Sequence, residues 1–124
     1  MCPVIPSNDE LCTAVQDYIA HERKSKAYVT HGPIAGWDVS RITDMSRLFA
    51  DASEFSADLS RWDVSNVTNM ACMFNGATAF TSDLSMWVVG NVTNMSHMFF
   101  RAKAFTSDLS EWDVGNMTNM GCMF

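Results

Sequence analysis

The chain has 124 residues, 48% of them hydrophobic, and a formal net charge of −6. That apolar fraction suffices for a packed core and excludes a disordered chain. Its eight basic residues are scattered, which excludes the basic stripe of a nucleic-acid binder and electrostatic docking on anionic lipid.

The first residues, MCPVIPSNDE, lack the charged start and apolar stretch of a signal peptide. No apolar run approaches the ~20 residues that span a bilayer. Ser7-Asn8-Asp9-Glu10 reads as a capping box, with Ser7 accepting from the Glu10 amide. Leu11, Val15, Tyr18 and Ile19 then share one helical face. Arg23, Lys24 and Lys26 sit where a helix C-terminus favours positive charge. The pattern predicts a helix over roughly 8–24, with its apolar face covering the open end of the first repeated coil. Gly32-Pro33 turns the chain onward, so residues 1–36 form an N-terminal cap.

From Trp37 the sequence repeats. Trp37, Trp62, Trp87 and Trp112 recur at a fixed 25-residue spacing, and the windows starting at Trp62 and Trp87 agree at 17 of 25 positions. Such a period marks a solenoid, in which each coil stacks on its neighbours because it has no core of its own. The full repeats are 37–61, 62–86 and 87–111, with a partial fourth at 112–124. Between Val67 and Ala77 the apolar spacing suits two turns of helix, and Leu84-Trp87-Val89 suits a short strand. The expected fold is α/β: a leucine-rich-repeat-like right-handed solenoid with one short strand and one short helix per coil, and an N-terminal capping helix. A solenoid normally closes with a polar terminal repeat. The sequence is therefore expected to be a piece of a longer array. An array that stopped at Phe124 would expose Met117, Met120, Met123 and Phe124 in its last coil, and would then be expected to self-associate end to end.

The regular columns have structural readings. Trp37, Trp62, Trp87 and Trp112, with Met70, Met95, Phe74 and Phe99, supply the large apolar groups a coil needs inside. The alternative for the tryptophans is a half-exposed row that stacks on sugars or apolar partners. Asn66, Asn91 and Asn116 read as a hydrogen-bonded ladder. Each also heads an N-x-T sequon, so glycosylation is the rival reading. Asp58, Asp83 and Asp108 read as turn-forming carboxylates, with calcium as the rival. No cofactor or metal is expected. Cys72 and Cys122 lie two coils, ~10 Å, apart, too far for a disulfide. A Cys2–Cys12 bridge and free thiols both remain open.

Nothing assembles a catalytic site. The histidines are His21, His31 and His97, none recurs with a nucleophile at a stable offset, and no hydrolase, zinc-protease or phosphate-loop motif is present. The chain is expected not to be an enzyme. Recognition is sought instead where the period fails: at Arg47/Cys72/His97/Cys122, Ala50/Asn75/Phe100, Asp51/Gly76/Arg101, Ser53/Thr78/Lys103 and Arg61/Met86/Glu111. His97, Phe100, Arg101 and Lys103 are the candidate partner-binding residues, an aromatic beside bases where other coils carry small or acidic groups.

The phrase WDVSNVTNMxxMFxxAxxFxxDLSxW resembles a bacterial surface-protein repeat of about 25 residues. That repeat is also known as a domain of unknown function in mycoplasma and listeria lipoproteins, and is grouped with BspA-type leucine-rich-repeat surface proteins. The resemblance covers residues 34–124. Leu59, Trp62 and Val64 echo the LxxLxL of leucine-rich repeats. The resemblance implies a cell-surface or secreted location and adhesion to an unidentified protein or glycan. A passive spacer with no ligand is the alternative.

Overall fold

The computed structural model describes residues 4–124. Helix α1 spans Asn8–His21. Ser7 stands extended before it, and its Oγ accepts from the Glu10 N–H at 3.2 Å. Asp9 and Glu10 place negative charge on the first turn, where the helix dipole favours it. Leu11 and Val15, four residues apart, are fully buried, whereas Ile19 is exposed.

The expected single helix over 8–24 ends sooner. Glu22 takes a left-handed φ of 47°, and one 3-10 turn, Glu22–Lys24, follows. Buried Ser25 then starts a second helix, α2, at Lys26–His31. Its Oγ accepts from the Tyr28 N–H at 2.9 Å and donates to the Glu22 carbonyl at 2.6 Å. The Ala27 N–H donates to Asp17 Oδ2 at 3.1 Å, which ties α2 to α1. Gly32, at φ 74°, closes α2.

Beyond residue 36 the expected α/β solenoid, with a strand and a helix in each coil, is not what the chain forms. Among the described residues this region has no helix and no strand. Isolated parallel bridges join Asp44 to Asn69, Asn69 to Asn94 and Asn94 to Asn119. The stretch 67–77 is a run of turns. Met73, Asn75 and Ala77 donate three residues back, to Met70, Cys72 and Phe74. The N–H groups between them leave the segment: Met70 donates to Asn94, Cys72 to Ser96, Phe74 to Met98 and Gly76 to Phe100, all at 2.8–2.9 Å. An α-helix would direct each N–H four residues back. Here half are spent on the neighbouring segment, and the left-handed backbone at Cys72 (φ 58°) and Gly76 (φ 78°) bends the chain between turns. The expected strand at 84–89 is also turned, because the Trp87 N–H donates to the Leu84 carbonyl at 3.1 Å.

Successive 25-residue segments therefore stack through backbone bonds between segments, with side chains filling the middle. Phe49, Phe74, Phe99 and Phe124 form one stacked column with centroids 5.5, 5.7 and 5.5 Å apart. Phe55, Phe80 and Phe105 form a second, at 6.0 and 5.9 Å. The columns touch in each segment, as at Phe74–Phe80, 4.1 Å. Met70, Met73, Phe74, Phe80, Met95 and Met98 are completely buried. Each such side chain contributes about 1.5–3 kcal/mol of transfer free energy.

Candidate functional site

The regular polar columns bond within the stack. Each buried tryptophan donates its indole N–H to a main-chain carbonyl: Trp37 to Gly32, Trp62 to Ile34, Trp87 to Leu59 and Trp112 to Leu84, at 2.8–2.9 Å. Leu59 O also accepts from the Trp62 N–H at 3.1 Å, so both of its lone pairs are used. The Nδ2 groups of Asn66, Asn91 and Asn116 donate to Ser40, Ser65 and Gly90 carbonyls of the preceding segment, at 2.7–2.8 Å.

The Asp58, Asp83 and Asp108 column sits in turns. Each Oδ1 accepts from the N–H two residues on, at Ser60, Ser85 and Ser110, at 2.9 Å. Those N–H groups, before any other cause, hold the three carboxyls below the usual aspartate range. Asp38 is lowered too, chiefly by the Ser40 hydroxyl. Ser82 and Ser107 add links that sequence reading missed. Ser82 Oγ accepts from the Leu59 N–H at 3.0 Å and donates to Asp58 Oδ1 at 3.3 Å; Ser107 repeats this on Leu84 and Asp83. The signal lies in the column Ala57/Ser82/Ser107.

Among the described residues no three His, Cys, Asp or Glu side chains gather to hold a metal ion. Cys12, Cys72 and Cys122 carry free thiols; the Cys2–Cys12 bridge considered from the sequence involves Cys2, which lies outside the described residues. No helix among the described residues is long and apolar enough to cross a membrane.

Two of the five variable columns share a backbone feature that spacing did not reveal. Arg47, Cys72, His97 and Cys122 all have φ between 52° and 60°. Asp51, Gly76 and Arg101 are left-handed as well, at 59°, 78° and 63°. In these two columns side chains vary where the chain makes its tight bends.

In the third segment these bends bring three of the four candidate residues together. The Arg101 guanidinium lies over the Phe100 ring, 5.2 Å from its centroid. His97 meets the same ring edge-on at 5.6 Å. Phe100 and His97 are half-buried and Arg101 is exposed. Lys103, the fourth, is exposed two residues on and stands apart from the cluster. A cation over an aromatic face is worth about 0.5–1 kcal/mol at such a site, so the arginine is held in place without losing its donors.

Two segments away the same columns carry Arg47, Ala50, Asp51 and Ser53, so the Arg101 column turns acidic, and Glu54 stands beside it. Tyr18, Glu22, Asp51, Ser53, Glu54 and Phe55 line a hollow of about 230 Å³. Burial, and then the Glu22 carboxylate, push the Tyr18 hydroxyl above its ordinary value. A more open groove of about 760 Å³ runs between α1 and α2, with Asp9, Asp17, His21, Lys24 and Thr30 on its walls.

No curated protein and no solved structure matches the chain. A family model does match, over residues 20–124, which include every repeated segment and the whole candidate cluster. The chain belongs to the family described as Mycoplasma protein of unknown function, DUF285.

Proposed function

We propose that the chain is a non-enzymatic recognition module that binds a protein or glycan at a cell surface. The observation that carries this reading is the Phe100 ring with Arg101 over its face and His97 at its edge. It lies at bends where other segments carry Ala50 or Asn75, and Asp51 or Gly76. An aromatic ring presents stacking area at low entropic cost, and a guanidinium beside it offers a forked donor to carboxylate or hydroxyl oxygens. Lys103 extends the positive field. The finer resemblance to BspA-type surface repeats supports the same reading, and with it a surface or secreted location.

The second reading, a passive spacer, is favoured by one observation. The Asn and Thr columns donate to main-chain carbonyls of the preceding segment, as with Asn91 on the Ser65 carbonyl and Thr93 on the Thr68 carbonyl. A glycan array and a pull-down with wild type, Phe100→Ala and Arg101→Ala separate the two. A reproducible partner lost in both variants supports the module. No partner for the wild type supports the spacer.

A further inference from the structure

We propose that the partner of this face is a second copy of the chain, packed side by side in the opposite direction. The inference rests on reading the variable columns as a recognition surface, and names what they recognise.

In two of these columns the residue type changes in a self-complementary way, in size from Ala50 to Phe100 and in charge from Asp51 to Arg101. In the first segment the bend carries Arg47, Ala50, Asp51 and Ser53, with Glu54 next to them; in the third it carries His97, Phe100, Arg101 and Lys103. The middle segment is neutral and small, with Asn75, Gly76 and Thr78. Matching φ values at Asp51, Gly76 and Arg101 give the three segments the same bend. A two-fold axis through the middle segment keeps each column in register and exchanges the first segment with the third. Arg47 then faces His97, Ala50 faces Phe100, Asp51 faces Arg101, Ser53 faces Lys103 with Glu54 one residue on and within reach of that long side chain, and Gly76 faces its own copy. Each contact occurs twice, as an isologous interface requires.

Size and charge both fit. The bulky ring meets the smallest side chain of its column. The basic pair meets the acidic hollow walled by Tyr18 and Phe55, a shape and charge suited to a lysine or arginine head. Among the described residues the Arg101 side chain is engaged by Phe100, and Asp51, Glu54 and Lys103 form no ion pair. These charges are therefore available to a partner. In a chain of net charge −6, an exposed Arg101 and Lys103 beside an aromatic stand out as a place where two copies can meet without repelling.

Sedimentation velocity on the whole chain tests this. The wild type is expected to associate with rising concentration, and to do so at least roughly tenfold more weakly when salt is raised from about 0.05 M to about 0.5 M. The double variants Arg101→Glu/Lys103→Glu and Asp51→Lys/Glu54→Lys are each expected to stay monomeric. An equimolar mixture of the two is expected to associate again, because opposite charges then meet at both ends of the interface. This last result distinguishes the arrangement from end-to-end stacking of apolar ends, which none of these changes touches. Tryptophan fluorescence checks that each variant is folded. Phe100→Ala, which alters no charge, supplies a second probe and is expected to weaken association. A wild type that is monomeric at every concentration overturns the proposal, as does a mixture that fails to associate. If a monomeric wild type still binds glycan or protein through Phe100 and Arg101, the second copy is the wrong partner and the recognition face stands. If it binds nothing at all, both fail.

Discussion

The side-chain amide of Asn8 holds Thr43 from two sides: Nδ2 donates to Thr43 Oγ1 at 3.2 Å, and Oδ1 accepts from the Thr43 N–H at 3.1 Å. Oδ1 also accepts from the Asp44 N–H at 3.3 Å. Further down the stack these positions are served by main chain, since Thr43 O accepts from the N–H groups of Thr68 and Asn69 at 2.8 and 3.4 Å. One amide on the first residue of α1 thus takes the part of a preceding segment's carbonyl. Asn8→Ala leaves two N–H groups to water and is expected to cost about 1 kcal/mol. In thermal unfolding that is a fall of about 4 °C. Asn8→Asp keeps the acceptor and is expected to lose less.

The tryptophan column is the buried counterpart. Trp87 Nε1 donates to the Leu59 carbonyl at 2.9 Å with the ring 4% exposed. Trp87→Phe removes the donor and leaves that carbonyl one partner short, in addition to lost packing. A loss of about 1–3 kcal/mol is expected from the hydrogen bond alone, read by urea unfolding with the remaining tryptophans as probe.

The left-handed bends predict opposite signs for two substitutions. Cys72 carries a side chain at φ 58°, which costs about 1–3 kcal/mol against a glycine entropy cost of about 0.5–1 kcal/mol. Cys72→Gly is therefore expected to raise the unfolding midpoint. Gly76→Ala is expected to lower it, because the added Cβ would stand 2.5 Å from Asp51 Oδ1. Truncating that carboxylate should relieve the clash, so Asp51→Ala/Gly76→Ala is expected to be more stable than the sum of the two single changes.

Local signals and the columns repeated at 25 residues were legible in the sequence, as with the Asn66, Asn91 and Asn116 bonds to the preceding segment, and the path of the backbone between them was not. The start of α1 was legible because Ser7 and Glu10 lie three residues apart and bond as the motif implies. Helix α2 was missed because Arg23, Lys24 and Lys26 resembled one helix end, while the capping signal was the single Ser25 between them. The helix expected over 67–77 fails for a different reason. Val67, Met70, Met73, Phe74 and Ala77 are buried whether the chain is helical or turned, since both place every third or fourth residue inside. Apolar spacing reports the burial; it does not report where the N–H groups go. That is decided by the neighbouring segment, which accepts from Met70, Cys72, Phe74 and Gly76. At the candidate site the residues were legible as interruptions of the period, and the Phe100–Arg101 geometry was not, because it depends on the bend. The acidic hollow escaped notice because Tyr18 and Glu22 come from the N-terminal region and Asp51 and Glu54 from the first repeated segment.

The lowered aspartates fix the sign of the pH dependence. A carboxyl whose folded value is depressed contributes stability that is complete above its unfolded value, about 3.9, and is lost as pH falls through the folded value. Asp38, Asp58, Asp83 and Asp108 are all of this kind. The thermal midpoint is expected to hold between about pH 7 and pH 5 and to drop below about pH 4. Asp58→Asn, which does not titrate there, is expected to shallow that drop.

Recognition at the irregular bends and construction in the regular columns are separable in one binding experiment. Wild type, Phe100→Ala and Thr68→Ala, the last as the regular-column control, are compared on a glycan array and on immobilised chain. Thr68 is exposed, and its Oγ1 donates to the Thr43 carbonyl at 3.2 Å. Phe100→Ala is expected to weaken binding by roughly tenfold or more, as befits an aromatic anchor, with little change in the unfolding midpoint. Thr68→Ala is expected to bind as the wild type does. Equal binding by wild type and Phe100→Ala, or loss of binding in Thr68→Ala alone, would show that the division between bends and columns is wrong.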